Sequence, residues 1–437
     1  MTWTPERPVL PVEGADVFDI ITSLKAPFFE ETNRAPIQIV AVIDRSGSMQ
    51  GDKIELVKET LKFVAKQLHD KDNLSIVIYD NEVDTILDPT NMDSQGKERA
   101  QMVISKIFVR GGTDLCAGLL RGLDVIQGNP INEVASVLLF TDGHVNAGIS
   151  NTDAIIAEVA KKEKEGKLGC TVHTFGFGPD HALSILKEIA EKGAGSYFFI
   201  QNKDTIADAF VNCLGGLLSV VAQNITLSIE GDNGAGLHSV VTAFKQTSAS
   251  NGWTVHIGDI QSEEERDILC RLKVPPHPDG EALEVLKLKL CYFNVISSKQ
   301  EEIEKVVSLR ASLDYPNSSP SVKVSVQKNR IATTEALTRA KAEADKGDYA
   351  SARKILNETI TQLQQSISAS DPFTEGLIHD LKDSLSGLID QTSFASYGGY
   401  QMSSYTMSHS RQRGTHSTAC YSTSSRFALQ EELRKNT

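Results

Sequence analysis

The strongest constraint on the fold is an alternation. Between residues 36 and 220, short aliphatic runs such as IQIVAVI, LSIVIY, SVLLFT, TVHTFGF and YFFI alternate with amphipathic segments. Each apolar run is long enough for a strand buried on both faces. Ile54, Val57, Leu61, Val64, Ala65 and Leu68 recur at helical spacing, so residues 52–69 read as a helix with one buried side. The intervals near 95–107, 114–127, 151–164, 180–192 and 203–220 read the same way. Buried strands separated by helices form an α/β, doubly wound, mostly parallel sheet covered on both faces. VDTIL follows its predecessor across a short polar loop and is expected at the edge, antiparallel.

A chain of 437 residues exceeds one ordinary core, and the pattern changes where further domains are needed. Residues 221–327 alternate apolar and polar positions, as in NITLSIE, WTVHIGDI and ALEVLKLKLCYF, and predict an antiparallel β domain. Residues 1–35 form an amino-terminal segment in which DIITSLKAP alternates similarly, as a strand of that β domain would. Residues 328–392 predict a small helical module, with a break at KGDY. Residues 393–437 are rich in Ser, Thr and Tyr and poor in aliphatic side chains, so a disordered tail is expected, closed by a short helix in RFALQEELRK. Its Tyr397, Tyr400, Tyr405 and Tyr421 are candidate phosphorylation sites.

The net charge of −13, from 57 acidic and 44 basic side chains, disfavours nucleic acid and anionic membranes as partners. No apolar run is long enough to span a bilayer, and the amino terminus has no basic leader followed by an apolar core. An intracellular location is therefore expected. The six cysteines never form a CxxC pair, which argues against a zinc ribbon, a RING finger or a disulfide framework.

The chemistry concentrates at one sheet edge. In a doubly wound sheet, ligands bind beyond the carboxyl ends of the strands. Asp44, Ser46 and Ser48 follow the run IQIVAVI, within IDRSGSM, where Gly47 lets the chain turn sharply. Thr113 lies in GGTD before a helix, and Asp142 lies in TDG after SVLLF, so both reach the same edge. Three hydroxyls and two carboxylates suit a hard divalent cation: Mg2+, with Mn2+ or Ca2+ as alternatives, in preference to zinc. So few direct charges leave such an ion able to accept an acidic group from a partner.

This pattern resembles the metal-ion-dependent adhesion site of von Willebrand factor type A (VWA) domains. DxSxS matches Asp44-Arg45-Ser46-Gly47-Ser48, the distal threonine matches Thr113 and the distal aspartate matches Asp142. The resemblance implies that the hydroxyls bind the metal directly, that the aspartates act directly or through water, and that a protein partner's Glu or Asp fills the open position. Arg45 stands at a position the pattern leaves free. GDKIELVKETLKFVAKQL and VRGGTDLCAGLLRGL look like the intracellular branch, including proteins that join a VWA domain to β and helical carboxy-terminal modules. Plant versions carry a RING finger and act as ubiquitin ligases. Without that pattern, the resemblance implies partner or substrate docking here and no ligase chemistry.

Other readings are weaker. Each of the five oxygens taken singly could cap a helix, but capping does not explain why they share one edge. FGFGPD has a GxG without the phosphate-loop lysine, and no GxSxG or HExxH is present. Two carboxylates sharing a cation stay ionised and make poor proton donors, so no enzyme activity is expected. His144 and His173 flank the same edge and could approach a ligand. The run Glu263-Glu264-Glu265-Arg266 reads as a solvated turn or strand edge, or as an acidic ligand for another molecule's metal.

Overall fold

The computed structural model describes residues 1–28, 34–165, 170–178, 181–200 and 203–414, with residues 421, 423, 424 and 431. The chain divides into two compact units, Met1–Phe28 with Val221–Thr423, and Phe29–Val220 with Ser424–Thr437. The first unit starts with β1 (Thr2–Pro5), β2 (Leu10–Pro11) and β3 (Ala15–Lys25). The second unit then intervenes in sequence.

That second unit contains β4 (Ile37–Asp44), α1 (Asp52–Gln67), β5 (Asn73–Tyr79), β6 (Val83–Asn91), α2 (Ser94–Ser105) and α3 (Leu115–Gly128). It continues through β7 (Val134–Thr141), α4 (Thr152–Glu165), β8 (Cys170–Phe177), α5 (Leu183–Lys192), β9 (Ala194–Ile200) and α6 (Lys203–Leu218). The six strands form one sheet in the order β6-β5-β4-β7-β8-β9. All neighbours run parallel except β6, which pairs antiparallel with β5 at the edge. Every residue of β4, β5 and β7 is buried, as expected of strands covered on both faces. Helix α3 packs on β4, β5 and β7 and against α4, which meets α5; α1 packs with α2 and α6.

The chain returns to the first unit through β10 (Val220–Gly231), β11 (Gly236–Val241), β12 (Lys245–Ala249), β13 (Gly252–Gln261), β14 (Glu265–Val274), β15 (Ala282–Asn294) and β16 (Lys299–Ser312). Two sheets result, β1-β3-β14-β11 and β12-β13-β10-β15-β16-β2. Strand β3, which contains most of DIITSLKAP, pairs antiparallel with β14 across nearly its whole length. Helices follow: α7 (Val322–Asp345), α8 (Tyr349–Gln364), α9 (Pro372–Ser386), the short α10 (Gln391–Ser393) and, after a π-helical turn over Phe394–Gly398, α11 (Gly399–Arg411).

Three expectations need correction. Helix α7 begins at Val322 and not at 328: VKVSV alternates like a strand, but the Ser321 side chain accepts from the Val324 amide and caps a helix there. The segment 394–411, expected to be disordered, is helical and packed. Its buried face uses Met402, Ser403, Thr406, Met407 and His409 in place of aliphatic residues, and its hydroxyls bond to carbonyls one turn earlier. The run Glu263–Arg266 is not a solvated edge, because Glu264 and Arg266 are buried and ion-paired at 2.6 Å. Tyr405 donates to Asp383 at 3.1 Å, and Tyr421 shares a 2.9 Å hydrogen bond with His409. Of the helix expected in RFALQEELRK only Glu431 is described, and it is helical; the rest of that segment, Pro179-Asp180 of FGFGPD, and Cys420 fall outside the described residues.

Candidate metal centre

The five candidate residues lie at the end of β4 and in the loops following β4, preceding α3 and following β7. Asp44, the last residue of β4, is fully buried. Its Oδ1 accepts the Ser46 amide at 2.8 Å and its Oδ2 accepts the Thr141 hydroxyl at 2.6 Å. Burial pushes the Asp44 carboxyl up to about 6, opposed by the bonds from Ser46 and Thr141, with the charge of Asp142 adding to the rise. Thr141 Oγ1 also accepts the Gly143 amide at 2.8 Å, so one hydroxyl joins the ends of two adjacent strands.

A 3-10 turn over Gly47–Met49 carries Ser48, anchored by the fully buried Met49. The hydroxyls of Ser46 and Ser48 stand 3.1 Å apart. The Gly47 amide donates to the Gly111 carbonyl at 3.2 Å, tying this loop to the one that carries Thr113. Asn146 holds Thr113 by its backbone: the Thr113 amide donates to Asn146 Oδ1 at 2.7 Å, and the Thr113 carbonyl accepts the amides of Asn146 and Ala147. The Thr113 hydroxyl is buried without a hydrogen-bond partner. Gly112 keeps this approach open, since a Cβ there would lie 2.5 Å from Asn81 Oδ1 and 2.6 Å from Asn146 Oδ1.

Asp142 is fully buried. Its Oδ1 accepts the His144 amide at 3.3 Å, and its Oδ2 faces the Lys53 ammonium, from the first turn of α1, at 3.0 Å. Arg45 turns toward β5 and β6, pairing with Asp80 at 2.7 Å and Asp84 at 2.8 Å. Arg110 pairs with the same Asp80 carboxylate, also at 2.7 Å. The side chain of His173 is placed away from the carboxyl edge: it lies in the amino half of β8, opposite Leu138, and accepts the Ser196 amide. Lys53, Thr141 and Asn146 were not singled out from sequence. A lysine in a helix's first turn looks solvated, and the other two carry no motif of their own.

Among the described residues, no three His, Cys, Asp or Glu side chains cluster so as to hold a metal by themselves. The donors here are instead two carboxylates and three hydroxyls, which fit a hard cation. The unsatisfied Thr113 hydroxyl is the observation that an added oxygen-seeking ion would explain.

A family model described as "von Willebrand factor type A domain" matches residues 37–199. The chain carries a VWA domain. Residues 321–423 match a second model, "CPSF6-like, RSLD domain, N-terminal region", which spans the helices from α7 onward. The chain is 27% identical over 348 residues to "E3 ubiquitin-protein ligase WAV3" of Arabidopsis thaliana, covering 77% of this chain and 44% of that protein. It is 22% identical over 399 residues to "E3 ubiquitin-protein ligase WAVH1" of the same plant, covering 85% and 52%. The chain thus spans about half the length of these relatives. A solved von Willebrand factor type A protein from Catenulispora acidiphila superposes with a TM-score of 0.69 at 17% identity, covering 86% of this chain and 88% of that one. At that identity the likeness is one of fold. VWA domains typically mediate protein interactions. No described helix is long and apolar enough to cross a membrane.

Proposed function

We propose that the VWA domain captures an acidic side chain of a protein partner through a divalent cation, Mg2+ by preference, held by Asp44, Ser46, Ser48, Thr113 and Asp142. The observation that carries this reading is the Thr113 hydroxyl, buried without a hydrogen-bond partner on a loop tied to Ser46 and Ser48. A bound hard cation supplies Lewis acidity and an open position for a carboxylate oxygen. The protein's own part is positioning. Thr141 and the Ser46 amide fix both oxygens of Asp44, while Asn146 fixes the backbone of Thr113. The reading is nonenzymatic and intracellular, with the first unit serving as scaffold or second binding surface.

Thermal unfolding of the full chain in Mg2+ and in EDTA tests the site. With metal at about 100 times its dissociation constant, folding gains about 2.7 kcal/mol. Asp44→Ala is expected to abolish that gain and metal-dependent partner capture. A gain of equal size in Asp44→Ala would remove Asp44 from the site.

A second reading draws on the two plant relatives, both named as ubiquitin-protein ligases. In it these residues act as a noncatalytic substrate-docking part of a ubiquitin-ligase or other multi-subunit assembly. Purification of native complexes decides between them: recovery of ligase components favours docking within such an assembly, and their absence under several conditions counts against it.

A further inference from the structure

We propose that Lys53 is a built-in surrogate cation: its ammonium neutralises Asp142 in the metal-free domain and must leave that carboxylate when a divalent cation binds. This inference rests on the metal reading of the site above. Asp44 and Asp142 are both fully buried, and the loops that carry them come together at the ends of adjacent strands. Burying two like charges side by side is costly without a compensating cation. Lys53 Nζ lies 3.0 Å from Asp142 Oδ2, and the lysine side chain is only 20% exposed.

The position of Lys53 in its own helix supports this role. It is the second residue of α1, which enters through Gly51 in the left-handed region at φ 84°. Acidic residues are favoured in the first turn of a helix, and Asp52 and Glu55 follow that rule. A lysine among them opposes the helix dipole. Asp142 is one favourable partner of its ammonium. A cation on Asp142 meets like charge from Lys53, so metal binding has to displace the ammonium and carries that cost in its affinity.

Titrating the full chain with Mn2+ by calorimetry tests the idea in wild type, Lys53→Met and Lys53→Arg. Removing the charge is expected to raise Mn2+ affinity by at least about tenfold, while Lys53→Arg stays within about threefold of wild type. In EDTA, Lys53→Met should unfold at a lower temperature than wild type. Binding by Lys53→Met alone would also support the proposal. Equal or weaker affinity in Lys53→Met would overturn it while leaving the metal reading intact. No Mn2+ binding by any of the three proteins would remove the metal reading and this inference with it. A readout on wild type needs no variant to fold: acetylation of Lys53, followed by mass spectrometry, should accelerate when Mn2+ is added, and an unchanged rate overturns the displacement.

Discussion

Burying a hydroxyl with nothing to bond costs free energy, of order 1 to 3 kcal/mol in protein settings. Thr113 carries this cost while its own amide and carbonyl are engaged with Asn146 and Ala147. The two explanations of its side chain make opposite predictions for Thr113→Val, which keeps the shape and removes the oxygen. If the hydroxyl awaits a metal, the variant in EDTA is as stable as wild type or up to about 1 kcal/mol more stable, and it no longer responds to Mg2+. If the hydroxyl supports the loop, the variant is destabilised in EDTA and its Mg2+ response is retained. Unfolding temperatures of both proteins under both conditions separate these cases.

At the scale of the element, α3 shows how closely a helix must approach the sheet to place the Thr113 loop. Gly118 faces Tyr79 and Gly122 faces Val42, where an added Cβ would lie 2.5 Å from Val42 Cγ2. At Gly118 the added carbon would overlap the Tyr79 ring, which belongs to a fully buried residue. Alanine is favoured over glycine inside a helix by about 1 kcal/mol, but here the overlap outweighs that gain. Gly118→Ala is therefore expected to destabilise the domain by about 1 to 3 kcal/mol, read as a lower urea midpoint. Gly128→Ala, at the end of the same helix with nothing near its Cβ position, should not. The period of the apolar residues made this sheet legible in sequence, including the antiparallel edge β6, because buried parallel strands leave uninterrupted aliphatic runs. The placement of Asp44 and Asp142 at strand ends, with Ser46 and Ser48 just beyond the first, followed from the same pattern, whereas Thr113 lies between α2 and α3. Helix α11 was illegible because its buried side is made of Met, Ser, Thr and His, and because Gly387 and Gly398 come too close to admit a side chain. Lys53 was illegible because its partner lies 89 residues away in the chain.

At the scale of the whole molecule, the end of α11 closes the first unit around a buried ionic cluster. Arg413 grips both oxygens of Glu264 at 2.8 Å and pairs with Asp259 at 3.0 Å, while Arg266 pairs with Glu264 at 2.6 Å. Gln412, in the left-handed region at φ 53°, meets the Asp267 backbone with both ends of its side-chain amide. Burial alone raises the pKa of Glu264, but the charges of Arg266 and Arg413 outweigh it and hold the carboxyl down at about 2, against an ordinary 4.5. Because the folded-state value lies below the unfolded one, this carboxylate stabilises the unit above pH 4.5, and its contribution is lost as pH falls toward 2. The shift corresponds to roughly 3 kcal/mol. Arg413→Met leaves Glu264 and Asp259 without this partner and should cost about 3 to 5 kcal/mol at neutral pH. In that variant the step between pH 4.5 and 2 should shrink. The proposed Mg2+ site draws on residues 44 to 142 and acid acts at 264, so the two are expected to act on different units. Calorimetry should show Mg2+ raising the unfolding temperature of the VWA unit alone, and acid together with Arg413→Met lowering that of the β-helical unit. A Mg2+ shift of equal size in both units, or an acid step unaffected by Arg413→Met, would contradict this assignment.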